Sequence, residues 1–237
     1  MKLQFIGRGA ALNPLEGNNA ALYEENGNLL LIDMGENVFT RLVALNVLPK
    51  AKNIYVVLTH THSDHIGSLG SLIHYCFVKL NQRIQLVMDE EVEYRESVEQ
   101  ILAAFQVLPK MIERITSRQL AEAFSGFSAL RFVPTRHVDE LKSYGLAFDT
   151  PEGLVYYTGD SRDVELLEKL YRQGNLAAVY TDTHNDNRPT SVHMPLDRLK
   201  EVFPVEFRGR VTCMHFGNSE TIELAREAGF SIAENMK

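Results

Sequence analysis

The sequence predicts a layered α/β fold, and three observations support this prediction. The chain has 237 residues, 45% hydrophobic and 23% charged, which suits one globular domain (1–237) with a sizeable core. Short apolar segments bounded by turn residues recur along the chain and predict strands. Segments with one apolar face predict helices. Each half of the chain begins with strands and continues into helices, a pattern typical of stacked sheet and helix layers.

The first half supplies five strands and three helices. The predicted strands are Lys2–Gly7, Ala20–Glu25, Asn28–Asp33, Asn53–Leu58 and Ile84–Met88. Asn26-Gly27 lies between the second and third strands and predicts a two-residue hairpin turn. The predicted helices are Val38–Asn46, Ile66–Leu80 and Glu90–Val107.

The second half repeats this order. The predicted strands are Leu130–Pro134, Ser143–Asp149, Leu154–Thr158, Ala177–Thr181 and Arg210–Met214. The predicted helices are Asp163–Gln173, Leu196–Val202 and Ser219–Ala228, the last of them capped by Asn218.

Composition excludes several classes of protein. The net charge of −7 argues against an extended nucleic-acid surface, although metal ions could still provide positive charge for a small anion. No apolar run approaches the roughly 18 residues of a membrane span, and the first residues lack a signal-peptide pattern, so we expect a cytoplasmic protein. The two cysteines, Cys76 and Cys213, are expected to remain thiols.

The segment His60-Thr61-His62-Ser63-Asp64-His65 carries the strongest functional signal. It places three imidazoles and one carboxylate within six residues, directly after a predicted buried strand. Alternation along an extended chain puts His60 and His62 on one side, while Asp64 and His65 enter the next helix and face a second position. Nitrogen and oxygen ligands of this kind suit zinc and similar ions.

Three further candidate ligands follow predicted strands elsewhere in the chain. His137, Asp160 and His215 each stand where a strand ends, which is the usual place for a site in an α/β protein. Any one of them could equally be a hydrogen-bonded core residue. As a set with the histidine cluster, they predict a metal site.

Together these motifs resemble the metal signature of the metallo-β-lactamase superfamily: HxHxDH, a later histidine, an aspartate in Thr-Gly-Asp and a histidine after a strand. The resemblance extends from Asp33-Met34-Gly35-Glu36 to His215. It implies a four-layer αββα sandwich with two divalent metal ions, most simply zinc, although manganese suits the same ligands. It implies one ion at His60, His62 and His137, a second at Asp64, His65 and His215, and Asp160 as the bridge around an activated water.

The last third of the chain resembles one branch of that superfamily, the tRNA 3′-processing endonucleases. Asp182 stands at the position of the glutamate in their H-E-A-T segment, and His193 at that of the histidine in their H-S-T loop. The resemblance implies that His193 assists the departing oxygen and that Asp182 supports it. His184, two residues after Asp182, is open to either a pocket role or a structural one.

Two features of those endonucleases are missing here. Only 22 residues separate His137 from Asp160, and two predicted strands use nearly all of them, so no exosite arm fits. Their RNA-binding loop is matched by Pro14–Asn19, but Glu16 and Asn18 replace its lysine and arginine. A phosphodiesterase that lacks both the exosite arm and the basic RNA-binding loop is expected to act on a small substrate.

The sequence therefore resembles most the cyclic-nucleotide phosphodiesterases that remove cyclic-pyrimidine signals of antiphage defence, the anti-Pycsar family. This resemblance implies hydrolysis of 3′,5′-cyclic CMP and UMP to monophosphates, with Asp64 orienting the water, and a homodimer. Three alternatives stay open: a tRNA 3′-processing endoribonuclease, a thioester or lactone hydrolase, and a protein that sequesters a nucleotide without cutting it.

Overall fold

The computed structural model describes residues 1–188 and 190–237. Its first sheet contains β1 (Gln4–Gly7), β2 (Ala20–Glu25), β3 (Asn28–Ile32), β4 (Asn53–Val57), β5 (Ile84–Val87) and β6 (Ile112–Ile115), paired in that order. Strands β1 to β3 are antiparallel, and β3 to β6 run parallel to one another.

The second sheet has the same plan. It contains β7 (Ala129–Thr135), β8 (Ser143–Thr150), β9 (Gly153–Tyr157), β10 (Leu176–Asp182), β11 (Val211–Met214) and β12 (Ser231–Ile232), again paired in chain order. Strands β7 to β9 are antiparallel, and β9 to β12 are parallel. Each half of the chain thus forms one mixed sheet.

Nine helices are present among the described residues. They are α1 (Val38–Leu45), α2 (Ser63–Ile66), α3 (Leu69–Lys79), α4 (Arg95–Ala104), α5 (Ser117–Glu122), α6 (Val164–Arg172), α7 (Leu196–Val202), α8 (Val205–Arg208) and α9 (Ser219–Glu227). In the part of the chain that the structure describes, no helix combines the length and apolar composition that crossing a membrane requires.

Alternating side chains divide the core into three layers. In β3, Leu30 and Ile32 face the second sheet, while Leu29 and Leu31 pack against α1 and α3. In β9, Val155 and Tyr157 face the first sheet, while Leu154 and Tyr156 pack under α6 and α7. The order helix, sheet, sheet, helix confirms the predicted αββα sandwich.

Two predicted helices differ from the observed ones. The predicted helix Ile66–Leu80 is broken between α2 and α3, where the Ser68 hydroxyl donates to the Gly35 carbonyl at 2.6 Å. The predicted helix Glu90–Val107 is helical only over Arg95–Ala104, because Tyr144 and the buried Val92 and Tyr94 hold the preceding segment in irregular form.

The local signals for turns, caps and thiols were correct. Asn26 and Gly27 adopt φ values of +55° and +88°, as the predicted hairpin turn between β2 and β3 requires. The Asn218 side chain accepts a hydrogen bond from the Thr221 N–H at 2.9 Å, which caps α9. Cys76 and Cys213 are buried free thiols, and burial raises the pKa of each to about 12.

Candidate metal centre

Polar side chains from both sheets meet at one edge of the sandwich, where the strands end. His60 and His62 follow β4, and the adjoining helix α2 carries Asp64 and His65. The second sheet contributes the others, each at or after the end of a strand: His137, Asp160, Asp182 and His215. The seven predicted metal ligands therefore lie together, although they come from distant parts of the chain.

The first group consists of His60, His62, His137 and Asp160. His62 Nδ1 lies 3.1 Å from His60 Nε2 and 3.3 Å from His137 Nε2. Asp160 Oδ2 lies 3.9 Å from His60 Nε2 and 3.7 Å from His137 Nε2. Ligand atoms around a tetrahedral zinc ion are about 3.3 Å apart, given Zn–N bonds of about 2.0–2.1 Å. The four separations are close to those found around such an ion.

The second group consists of Asp64, His65, Asp160 and His215. His65 Nε2 lies 3.2 Å from Asp64 Oδ2 and 3.2 Å from Asp160 Oδ1. His215 Nε2 lies 3.4 Å from Asp64 Oδ2 and 3.3 Å from Asp160 Oδ2. Because Asp160 presents oxygens to both groups, it is the residue through which they are joined.

Two buried atoms test whether these residues suit a cation. His65 Nε2 and Asp160 Oδ1 are fully buried, and although they lie 3.2 Å apart, neither makes a well-directed hydrogen bond to the described residues. Leaving such atoms unsatisfied costs free energy, and native proteins rarely do so. A divalent cation between them would satisfy both. The histidine and aspartate clusters therefore fit a metal site.

The pKa shifts of two of the ligands, His60 and Asp160, favour the same conclusion. Burial, with the adjacent charge of His65, holds the pKa of His60 well below its usual range, so its ring is neutral and has a free lone pair. Burial opposes ionisation of Asp160, but the nearby His215 and His65 hold its pKa well below the usual range. Neutral imidazole and ionised carboxylate are the forms that bind a divalent ion.

Asp33 supports one ligand of each group, His65 directly and His60 through Thr59. Its Oδ2 accepts from His65 Nδ1 at 2.9 Å, and its Oδ1 accepts from the Thr59 N–H at 2.8 Å. The Thr59 hydroxyl bonds to Asp33 Oδ2 at 2.9 Å and lies 3.0 Å from His60 Nδ1. Such contacts fix ring orientation and leave the other nitrogen free for an ion. Asp33 is fully buried and adopts a left-handed φ of +65°.

In the sequence, only a weak signal points to this supporting role. The resemblance begins at Asp33 but implies no function for it, and no motif includes Thr59. The signal was the position of a carboxylate directly after the apolar strand β3.

Asp182 and His193 form a hydrogen-bonded pair beside the two groups. His193 Nδ1 lies 2.7 Å from Asp182 Oδ2, and Asp182 Oδ1 lies 3.3 Å from Nδ1 of His215. Burial lowers the pKa of His193, but the Asp182 carboxylate outweighs this and raises it above the usual value. The Ser161 N–H donates to Asp182 Oδ2 at 3.2 Å and helps to hold the carboxylate in place.

A cavity of about 400 Å³ opens onto the centre. One wall is formed by the histidines and aspartates, including His62, Asp64, Asp160 and His193. The apolar residues of the lining are Ala10, Ala11, Leu12, Val138 and Val192. None of the described residues that line the cavity is a lysine or an arginine.

Two segments that the sequence analysis compared with RNA-binding parts have defined structures. Strands β8 and β9 occupy most of the segment between His137 and Asp160, joined by a tight turn at Gly153. In the N-terminal loop, Glu16 Oε2 is 2.7 Å from Arg8 Nε. This carboxylate is therefore ion-paired within that loop.

Solved structures resemble this chain over its whole length. The metallo-β-lactamase fold protein YhfI from Bacillus subtilis aligns with a TM-score of 0.72 at 18% identity, covering 99% of this chain and 97% of that one. Zn²⁺-bound PqqB from Methylobacterium extorquens aligns with a TM-score of 0.72 at 14% identity, covering 100% of this chain and 99% of that one. These likenesses confirm the fold.

Sequence comparison identifies the family. An anti-Pycsar protein Apyc1 from Bacillus phage 010DV004 is 31% identical over 238 residues, covering 92% of this chain and 90% of the relative. The family model described as anti-Pycsar protein Apyc1 matches residues 1–235. The predicted resemblance is confirmed and, at the level of the family, so is the expected hydrolysis of phosphodiester bonds in cyclic nucleotides. The chain belongs to the anti-Pycsar protein Apyc1 family.

Proposed function

We propose that this protein hydrolyses 3′,5′-cyclic CMP and UMP, and related cyclic nucleotides, to nucleoside monophosphates in the cytoplasm. The observation that carries the proposal is the pairing of two ligand groups joined by Asp160 with a histidine, His193, held beside them by Asp182. The same edge draws residues from both sheets, which supports a single catalytic domain spanning 1–237.

The residues would hold two divalent ions, for which we propose zinc. His60, His62 and His137 would bind one, Asp64, His65 and His215 the other, and Asp160 would bind both. Bound zinc lowers the pKa of a coordinated water and offsets negative charge on phosphate oxygens. The mainly imidazole donor set and the tetrahedral spacing favour zinc, while manganese prefers more oxygen ligands.

His193 is proposed to protonate the departing ribose oxygen. Its Nδ1 is engaged by Asp182, so its Nε2 is free to face the cavity as a proton donor. As water adds to phosphorus and the bond to the ribose oxygen breaks, the proton from Nε2 would neutralise the leaving alkoxide. The product is a ring-opened monophosphate.

Asp64 is proposed to orient the attacking water. Its Oδ2 faces His65 and His215, which leaves its other oxygen available to accept a hydrogen bond at the cavity wall. A water held there would have a defined approach to the phosphorus.

The cavity suits a substrate of one nucleotide. Its volume of about 400 Å³ lies within the usual range for small ligands, and its apolar lining residues would contact the nucleoside when the phosphate lies at the ligand groups. We also propose a homodimer, supported by two apolar side chains, Leu12 and Leu15, which are 96% and 94% exposed in the single chain.

Incubation with cyclic CMP, UMP, AMP and GMP, followed by chromatography of the products, tests the function. We expect monophosphates to form, to disappear with a chelator, and to be absent with the Asp160→Ala variant. Bound but unchanged cyclic nucleotide would support sequestration, and cleavage of precursor tRNA alone would support 3′ processing; either result would overturn the proposal.

A further inference from the structure

We propose that His184 is a positioning residue that holds the ring of His193 in the plane from which it reaches the leaving oxygen. The inference rests on the proposed function of His193. His184 belongs to neither ligand group around Asp160, but it clusters with Asp182, His193 and His215 and lines the cavity.

The two rings are stacked face to face. The centroids of His184 and His193 lie 4.1 Å apart, and their planes differ by 8°. His193 also approaches His137 at 5.2 Å with an angle of 51° and His215 at 5.1 Å with an angle of 35°, and neither is a stacked contact. His184 is therefore the ring neighbour that matches the plane of His193.

His193 needs such a neighbour because of its position in the chain. It lies on the segment between β10 and α7, and its own N–H is 3.4 Å from the Ser191 hydroxyl, a weak contact. Asp182 fixes the ring at one atom, Nδ1. A single fixed atom leaves the ring free to rock about that contact, and a stacked face removes this freedom.

His184 is itself rigidly held. Its Nε2 lies 2.9 Å from the His215 carbonyl oxygen, its N–H donates to the Met194 carbonyl at 2.9 Å, and its carbonyl accepts from the Leu196 N–H at 2.8 Å. Its ring occupies space left by Gly217, where an added Cβ would lie 3.1 Å from Cε1. These contacts fix the stacking face against two separate segments.

Three substitutions separate the stacked ring from the hydrogen bond. His184→Phe keeps a ring but loses the donor to His215, His184→Gln keeps a donor but loses the ring, and His184→Ala loses both. His74→Ala is the matched control, since His74 is a half-buried histidine on α3 that contacts the Phe105 carbonyl, far along the chain from the site. Metal content and melting temperature are measured for every variant.

Two substrates separate positioning from general damage. Cyclic CMP has a poor leaving group that needs a proton, whereas bis(p-nitrophenyl) phosphate has a leaving group that departs without one. We expect His184→Ala and His184→Gln to lower kcat on cyclic CMP by about 10- to 100-fold, with KM within about threefold, because proton donation is weakened and binding is not. On the p-nitrophenyl ester we expect a loss below about threefold.

The ring-keeping and double variants complete the test. His184→Phe should retain at least about fivefold more activity on cyclic CMP than His184→Ala, and the double variant of His184→Ala with His193→Ala should be no slower than His193→Ala alone. Equal losses on both substrates, or a parent-like rate for His184→Gln, would overturn the inference. If His193→Ala also keeps the parent rate, the proposed role of His193 fails as well; if only the His184 variants do, this inference alone fails.

Discussion

Asp33 and Asp182 are both buried carboxylates at the ends of strands, one in each sheet, yet their neighbours differ. Asp33 contacts His65 and Thr59, and every one of these contacts lies behind the ligand groups. Asp182 reaches His215 with one oxygen and His193 with the other. Asp33 therefore only orients metal ligands, while Asp182 also holds His193, whose side chain faces the cavity. Burial is the same at both positions, so the contacts alone distinguish their roles.

The largest loss of activity is expected when His193, the partner of Asp182 that faces the cavity, is removed. His193→Ala should slow cyclic CMP hydrolysis by about 100- to 10,000-fold, the usual range for a general acid, because the leaving alkoxide is no longer protonated. Steady-state kinetics with metal analysis checks this. Metal content should equal that of the parent. A loss of metal would show instead that His193 helps to bind the ions.

The Asp182→Asn variant tests the dual role directly. The amide still fills the space but is uncharged, so it supports a charged His193 less well, and we expect kcat on cyclic CMP to fall by about 10- to 100-fold. On bis(p-nitrophenyl) phosphate the loss should be much smaller. Similar losses on the two substrates would show that Asp182 acts through His215 alone and, like Asp33, only orients a metal ligand.

The Asp33→Asn variant should have the opposite signature. Weaker support of His65 and of Thr59 should lower metal affinity by about 10- to 100-fold, with the rate recovering when excess metal is added. Asparagine is the suitable replacement because it tolerates the left-handed backbone at this position. Chelator competition measures the affinity, and a rate defect that saturating metal leaves in place would contradict the assignment.

A smaller effect is expected where neither carboxylate acts. Leu12→Asp places a negative charge in the lining of the cavity and should raise KM for the anionic cyclic CMP by about 3- to 10-fold without changing metal content. Leu15→Asp is the matched control, as Leu15 is equally exposed but does not line the cavity in the described structure. Equal KM values for the two variants would place the nucleoside elsewhere.

The smallest effect concerns a carboxylate with no metal or cavity contact. Glu25 Oε2 accepts a hydrogen bond from the Ser125 N–H at 2.5 Å. Partial burial opposes the charge of Glu25, but its hydrogen bonds, including this one, lower its pKa. Because the pKa of Glu25 is lower in the folded protein than in the unfolded chain, its charge stabilises the fold at pH values above the unfolded pKa. This contribution is lost as the pH falls through the folded pKa. Glu25→Gln should lower the melting temperature by about 2–4 °C at pH 7, and the difference should vanish in acid. Activity should not change.

Much of the fold was predictable because its strands are strongly apolar and their turns carry clear signals. The segments Ala20–Glu25 and Leu196–Val202 were predicted with their observed bounds. Strands β6 and β12 and helices α5 and α8 were not predicted, because they are short and their patterns are weak. The helix predicted from Glu90 failed at its start, since Tyr144, 51 residues away from Glu93, binds that segment.

The candidate site was predictable in its composition but less so in its support. The metal ligands stand out because four occur within six residues and the others follow strands. The role of Thr59 and the stacking of His184 on His193 depend on side-chain geometry that no spacing encodes. The local sequence can nominate ligands, whereas the contacts behind them arise only when both sheets are packed.

Asp33 and His215 share a further property, since both adopt left-handed backbone conformations, with φ values of +65° and +57°. Glycine relieves such a conformation, which costs other residues about 1–2 kcal/mol. Glycine at either position would therefore relieve the backbone but erase the site in doing so. Within a set of homologous sequences, glycine at either position would mark a lineage that has given up the chemistry and kept the scaffold.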